Sequence, residues 1–491
     1  MKILIIKLTA VLLAVILSAA VMVCCADDTP GAGDTTAATA ETTVPAETDG
    51  QTELVPSLPD TKWDRSFRVL GCGDTASDSF LTFEIFAEDL TAEPMNDAVY
   101  TRNEAVKKKY GITVEQTLEK TPDTRIAREI ASGDDNFDLV FAFLYKIGGL
   151  ALKGYFYDMN TVEHIDFTKP WWNADVNEVV SLKGHVFYTS SDFSLRDKNR
   201  VQCMVLNDAL RNDLNLSPVP ELVRSNAWTA EKMLEYVKAA ASDLSGDGKV
   251  GSDDRFGLVM HAWDAFANLC FGFGVRLVDK DSDGNMIICA DPEHGSEAVD
   301  KALAIFAKEL TMTPEDYGRN WDINSDTFVA GRALFSMNSV AFVKYYNENC
   351  DFDYTICPNP KFDSDQEKYV SIPDIRCMMF GILSSSKTPD FSGFALEALS
   401  YESTDSTLVT FIELVCKSRN LRNADSVEMV NIIFDGVIYD CSLFFTDSLS
   451  LYAILNTTIP TVRSNSFVRL LESGRKRNES ALESINGAFK D

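Results

Sequence analysis

Residues 168–207 read TKPWWNADVNEVVSLKGHVFYTSSDFSLRDKNRVQCMVLN, and this stretch decides the fold. Adjacent tryptophans Trp171 and Trp172 follow a proline. The apolar/polar alternation over 179–189 predicts a hairpin, Asp192 ends it, and 201–207 is a second β-rich run. Together they predict an aromatic platform on one lobe and a strand that crosses from it into a second lobe. A planar ring beside a carboxylate and an amide suits a sugar, whose C–H faces stack while its hydroxyls take the polar groups. The same rings read equally well as core.

At 491 residues the chain exceeds what one hydrophobic core usually supports, so two lobes are expected. Its formal charge of −29 argues against a nucleic-acid partner, because binders of phosphate backbones present basic faces. Residues 1–25 carry Lys2 and Lys7 ahead of an apolar run that closes on Cys24 and Cys25, the pattern of an export signal ending at a lipidation site. Cys25 is the preferred acceptor and Cys24 the alternative, since a thiol preceding Cys25 is closer in size to the usual small residue than Val23 is. A cleaved soluble form or an uncleaved anchor stays open. Residues 26–61 are Thr, Ala, Asp, Glu and Pro, too poor in large apolar side chains to offset ordering, and are read as a tether spanning roughly 30–35 Å. Nine further cysteines are odd in number, irregular in spacing and mostly set in apolar runs, which predicts buried thiols rather than a disulfide framework.

Strands and helices then alternate. A strand at 67–71, a helix at 96–110 with Asn96 as N-cap, and strands at 112–116 and 137–143 form βαβ units of the first lobe. After 207 the pattern restarts, with a strand at 256–260 and a helix at 297–310. A second crossing strand is expected within 372–383. Thr388-Pro389 then opens a helix with Phe391, Phe394, Ala395 and Ala398 on one face.

Read in order, the signal and acidic tether, EPMNDAVYTRNEAV at 93–106, IASGDDNFDLVFA at 130–142, KPWWN, the loop at Asp243, FDYTICPNPKFD at 352–363 and RNADSVEMV at 422–430 resemble family 1 extracellular solute-binding lipoproteins. These are the carbohydrate-capturing subunits of ABC importers, and the resemblance covers about 66–440. It implies an α/β, two-lobe, periplasmic-binding-protein-like type II fold. Each lobe would be a mostly parallel sheet flanked by helices, joined by hinge strands that close on ligand. Lobe one is expected at 62–206 plus about 372–425, and lobe two at 207–371 plus about 426–491. The resemblance also implies a monomer on the outer face of a bacterial membrane, an oligosaccharide ligand and permease partners. Carried onto matching positions, the cleft would use Trp171 or Trp172 for stacking, Asp192 as a hydroxyl acceptor, Trp263 with Asp264 from lobe two, and Asn338 and Asp374.

The sharpest local motif is the loop of Asp243, Ser245, Asp247, Lys249 and Asp254, with oxygen ligands at positions one, three, five and twelve and a carbonyl at seven, the calcium-loop spacing. The alternative is a polar turn. A second run, 279–285, lacks the closing carboxylate and predicts a hairpin turn. No hydrolase or zinc motif appears, and the four histidines have no ligand spacing. A secreted glycosidase using two carboxylates is the enzymatic rival, and a ligand sensor on the same fold is a third reading.

Overall fold

In the computed structural model, residues 55–73, 81–416 and 424–489 are described. The expected signal, both candidate lipidation cysteines and residues 26–54 of the expected tether lie outside them. Residues 55–61 form no helix or strand, and Leu58 packs on a core.

Two sheets organise residues from Pro56 onward. The first contains β1 (Arg65–Cys72), β2 (Ile112–Glu119), β3 (Leu139–Phe143) and β11 (Met378–Gly381), in the order β11-β3-β1-β2. β1 runs parallel to β2 and β3, whereas β11 is antiparallel to β3. The second contains β4 (Gln202–Asn207), β5 (Phe256–Met260), β8 (Thr311–Met312), β9 (Ala333–Ser339) and β10 (Tyr354–Cys357), in the order β10-β4-β9-β5-β8. Here β5 is parallel to β8 and β9, and β4 is antiparallel to β9 and β10. Both sheets are therefore mostly parallel, as expected, and each carries one strand running the other way, β11 in the first and β4 in the second. The reason is directional: β4 and β11 each start where the chain has just crossed from the other sheet, so they run away from the junction while β3, β5 and β9 run toward it.

The junction is built from two crossing segments that pair with each other. Val201 bridges Pro373, the Gln202 N–H donates to the Ile372 carbonyl at 3.1 Å, and the Asp374 N–H donates to the Arg200 carbonyl at 2.9 Å. Arg200 and Asp374 form a buried ion pair, and the second Asp374 oxygen accepts the Arg376 N–H at 2.7 Å. A third passage joins them where Ser371 bridges Val437.

Period-two alternation explains why the strand LVFAF is apolar throughout. Leu139, Phe141 and Phe143 face a core with Trp171, Trp172, Phe193, Phe380 and Phe394, while Val140 and Ala142 face the other side. That second core is continuous from Val140 through Phe444 and Phe445 to Met260, Phe335 and Met337 of the second sheet.

Several local readings change. Residues 174–180 are a helix capped by Asn173, so the hairpin read over 179–189 is reduced to the bridge between Leu182 and His185, and outside it Trp172 pairs antiparallel with Ser191. Asn173 accepts the Val176 N–H at 3.0 Å, and this local cap overrides the short alternating pattern. The helix Pro94–Tyr110 is capped by Glu93, whose carboxylate accepts the Asn96 N–H at 2.6 Å, so Asn96 lies inside it. The helix expected at 297–310 is Pro292–Ile305, capped by Asp291. The run at 279–285 does turn a hairpin, between β6 (Val278–Lys280) and β7 (Met286–Ile288). Its Lys280 reaches the first lobe, donating to the carbonyls of Glu178 and, at 3.0 Å, Ser181. Among the described cysteines Cys289 is exposed and the other seven are buried and unbridged.

Glu397 lies in the first core with its Oε2 accepting the Trp172 indole N–H at 2.9 Å. Burial pushes its carboxyl from 4.5 up to about 7, against the indole and backbone donors that favour the anion. The folded state therefore holds a proton between pH 4.5 and 7 that the unfolded state has released, so stability falls as pH rises through that window. Glu397→Gln, which keeps an acceptor and removes the charge, should restore about 3 kcal/mol above pH 7 and flatten that slope, as read by urea unfolding at a series of pH values. Asp374→Asn leaves the Arg200 guanidinium buried without its countercharge; a loss of about 3–5 kcal/mol in the same measurement is expected.

Candidate functional site

In α/β sheets of this kind ligands gather outside the carboxyl ends of the strands, where connections reverse. Those ends point at the junction. Phe143, ending β3, pairs with Met378 at the start of β11; Ser339, ending β9, pairs with Gln202 at the start of β4; and Met260, ending β5, pairs with Met337. Side chains that follow β3, β5 and β8 are thereby brought to the space beside the crossing segments.

After β5 come His261, Ala262, Trp263 and Asp264, the last opening the helix Asp264–Gly272. Trp263 is half-buried, and its ring lies 5.5 Å from that of Trp321, which is 45% exposed. His261 lies 6.0 Å from the same ring. Trp321 is returned to this place by two consecutive left-handed residues, Gly318 (φ 69°) and Arg319 (φ 62°), which end the 3-10 turn Pro314–Tyr317; the Arg319 N–H closes onto the Pro314 carbonyl at 2.8 Å. Glycine occupies the first of these without the Cβ penalty. The result is an aromatic surface of three rings from two separate loops.

The polar groups around it are held in place. Asp264 Oδ1 accepts the Tyr452 hydroxyl at 3.0 Å and the Asn456 amide at 2.6 Å. Both donors come from the helical stretch that contains the π-turn Ile454–Thr458, a geometry that often marks functional sites. Burial, then the negative field of Asp374, holds the Asp264 carboxyl well above the usual range, against the Tyr452 hydroxyl and the guanidiniums of Arg200 and Arg376. Burial lowers the His261 imidazole to about 4, Asp374 opposing and Arg200 and Arg376 assisting, so it is neutral at pH 7. Glu315 Oε2 accepts the Ala262 N–H at 3.3 Å, and burial raises its carboxyl.

From the first lobe, Tyr145 follows β3, half-buried, its hydroxyl pushed up by burial and by Asp123 against Lys146 and Arg376. Lys146 pairs with Asp447 at 2.9 Å. Arg376 acts electrostatically on both Tyr145, from the first lobe, and Asp264, from the second.

The residues expected from the sequence divide. Trp263 and Asp264 lie in this arrangement. Trp171 and Trp172 are corrected: they are 1% and 4% exposed, with Trp171 edge-on to Tyr401 at 5.3 Å and Trp172 to Phe167 at 4.9 Å, and no face is left for a ligand. Asp192 is likewise an internal group, accepting the Thr404 hydroxyl at 2.8 Å with Lys198 at 3.7 Å, its carboxyl raised by burial to about 6. Asp374 is committed to the crossing. Asn338, 7% exposed at the junction end of β9, accepts the Ser339 N–H at 2.9 Å. The sequence reading missed Trp321, His261, Tyr145, Glu315, Tyr452 and Asn456. A tryptophan in the polar run RNWDINSD was the available signal for the first; nothing local marks the others.

In the Asp243 loop, Asp243 accepts the Gly246 and Gly248 N–H groups at 2.6 and 2.8 Å, Asp247 the Lys249 N–H at 2.8 Å, and Asp254 those of Leu244 and Gly251 at 3.0 and 2.8 Å. Gly246 and Gly248 both take positive φ, which closes the turn. Among the described residues no group of three or more His, Cys, Asp or Glu side chains is placed to hold a metal, so the loop oxygens serve the loop's own backbone here. A polar groove of about 850 Å³ lies between the β6–β7 hairpin and the Lys183–Gly184 turn, and no aromatic side chain lines it. Among the described residues no helix is long and apolar enough to cross a membrane.

Compared by sequence, the chain matches no family model and no curated protein. Compared by structure, it is similar to an ABC substrate-binding protein from Listeria monocytogenes in complex with cycloalternan, with TM-score 0.53 and 10% identity over 87% of this chain and 99% of that one. It is also similar to the maltose/maltodextrin-binding domain from Bdellovibrio bacteriovorus bound to maltotriose, with TM-score 0.51 and 15% identity over 86% and 98%. A sugar transporter from Rhizobium etli in an open conformation gives TM-score 0.56 and 12% identity over 86% and 98%. The chain has the two-lobe α/β fold of these binding proteins over nearly their whole length.

Proposed function

We propose that this protein is an extracellular, lipid-anchored receptor that captures an oligosaccharide between its lobes and hands it unaltered to an ABC importer. The supporting observation is the aromatic surface of Trp263, Trp321 and neutral His261 at the strand ends beside the crossing segments, on a fold otherwise found in sugar-binding transport proteins. Stacked rings take the C–H faces of a pyranose, while Asp264, Asn456 and Tyr145 offer hydroxyl partners from both lobes. The anchor at Cys25 or Cys24, the tether and the permease partners belong to the same proposal and are supported by the sequence signals alone.

The test is isothermal titration against a panel of neutral oligosaccharides, with an assay for new reducing ends. Saturable binding without cleavage is the expected result; silence across the panel, or turnover, would overturn it. Trp321→Ala removes roughly 70 Å² of stacked apolar contact, about 1.8 kcal/mol, and should weaken binding roughly twentyfold, whereas Trp171→Ala should lower stability far more than affinity.

A structural calcium ion at the Asp243 loop is part of the proposal, since the carboxylates retain lone pairs beyond those the backbone N–H groups use. Calcium should raise the thermal midpoint relative to EDTA, and Asp243→Asn with Asp254→Asn should abolish that rise. An unchanged midpoint in the unmutated protein assigns the loop to turn formation alone.

A further inference from the structure

The exposed edge of the aromatic surface does not end at Trp321. The helix Ile323–Val329 begins just after it and lies against β5 and β9. Its N-cap Asp322 and, one turn further, Asp326 share one outward face and are both exposed. They stand about 6 Å apart along the helix axis, close to the length of a single pyranose unit.

A second exposed ring completes this row. The turn Val340–Phe342 leaves β9 at the crossing, where the Val340 N–H donates to the Val201 carbonyl at 2.9 Å, and it leads into the helix Val343–Asn349. Tyr346 seats that helix: its ring lies 5.0 Å from Phe328 of the helix Ile323–Val329, and its hydroxyl shares a 2.7 Å hydrogen bond with Ser336 of β9. Tyr345, next to it, is 36% exposed. The Tyr345 hydroxyl donates to Asp326 Oδ1 at 3.5 Å, the long end for such a bond, so a sugar hydroxyl can replace it at little cost. Burial, then Asp326 and Asp322, raises the Tyr345 hydroxyl further, which keeps it a donor at neutral pH.

Trp263 and Trp321, with ring centroids 5.5 Å apart, offer stacking faces for one or two adjacent sugar units. The row of Asp322, Asp326 and Tyr345 repeats the same pairing further out, exposed carboxylates for hydroxyls beside an exposed ring for a C–H face.

We propose that the second lobe carries a further carbohydrate subsite, formed by Asp322, Asp326 and Tyr345 in continuation of Trp321, which receives the distal units of a long oligosaccharide and makes chain length a basis of selection. This rests on the carbohydrate-binding reading above and deepens it.

The experiment is isothermal titration of the full protein with dimers and hexamers of α-linked glucose, β-linked glucose, β-linked xylose and β-linked N-acetylglucosamine. In the series that binds, the hexamer is expected to bind at least about tenfold more tightly than the dimer, the gain from one more ring contact and its hydrogen bonds. Tyr345→Ala should remove most of that gain while changing dimer affinity less than about twofold, whereas Trp321→Ala should weaken dimer and hexamer alike. Should Tyr345→Ala fail to fold, Asp326→Ala, a change at an exposed side chain, decides in its place by the same selective loss for the hexamer. Equal affinity for dimer and hexamer, or a Tyr345→Ala effect of the same size on both, would overturn the subsite and leave the carbohydrate reading intact. Silence from every dimer and hexamer would remove both.

Discussion

The structure depends on one short antiparallel pairing, that of residues 200–202 with residues 372–374, clasped by the buried Arg200–Asp374 pair. Taking two charges out of water costs several kcal/mol per ion, and a buried pair repays this only when its remaining polar groups are also engaged. Asp374 meets that condition on one side, with its other oxygen on the Arg376 N–H. The pair also fixes register. A slip of one residue between the crossing segments would separate the two charges and reverse which side chains of β4 and β11 face their cores.

That constraint carries outward into both sheets. Because β4 and β11 leave the junction, their partners β9 and β3 must end there, and the loops that follow β3, β5 and β8 open onto the same space. The site is thus a consequence of strand direction. Its electrostatics follow as well: the Arg200–Asp374 pair and Arg376 act through their charges on His261 and Asp264. The continuous core from Val140 through Phe444 to Met260 ties the two sheets together on one side of the junction, so a closure of the lobes would have to bend about it.

Much of the architecture was legible in the sequence because it rests on long-range periodicity. LVFAF at 139–143 reads as a strand buried on both faces, the alternation of strands and helices reads as α/β, and the crossing at 201 follows from the switch in pattern. The site was legible only in part. Trp171 and Trp172 have the composition of a sugar platform, yet a tryptophan pair is also what a core with a buried carboxylate needs; Glu397, 225 residues from Trp172, decides between these, and no local pattern shows that. Trp263 and Asp264 were recoverable because they directly follow a clear strand. Trp321, Tyr452 and Asn456 reach the site from loops and a π-turn whose placement depends on packing of the whole second lobe. The one reversed strand in each otherwise parallel sheet was hidden for the same reason, since a sequence shows where a strand lies but not which way it enters its sheet.

The central claim is that two lobes hinge about the Arg200–Asp374 crossing and close on a ligand seated at their strand ends. Small-angle X-ray scattering of the protein, alone and saturated with an oligosaccharide whose binding has been measured by titration, tests it most directly. The account expects the radius of gyration to contract on saturation and the scattering to change as two rigid bodies rotating about residues 200–202 and 372–374. A saturated complex with the same radius of gyration and the same profile as the free protein would contradict it.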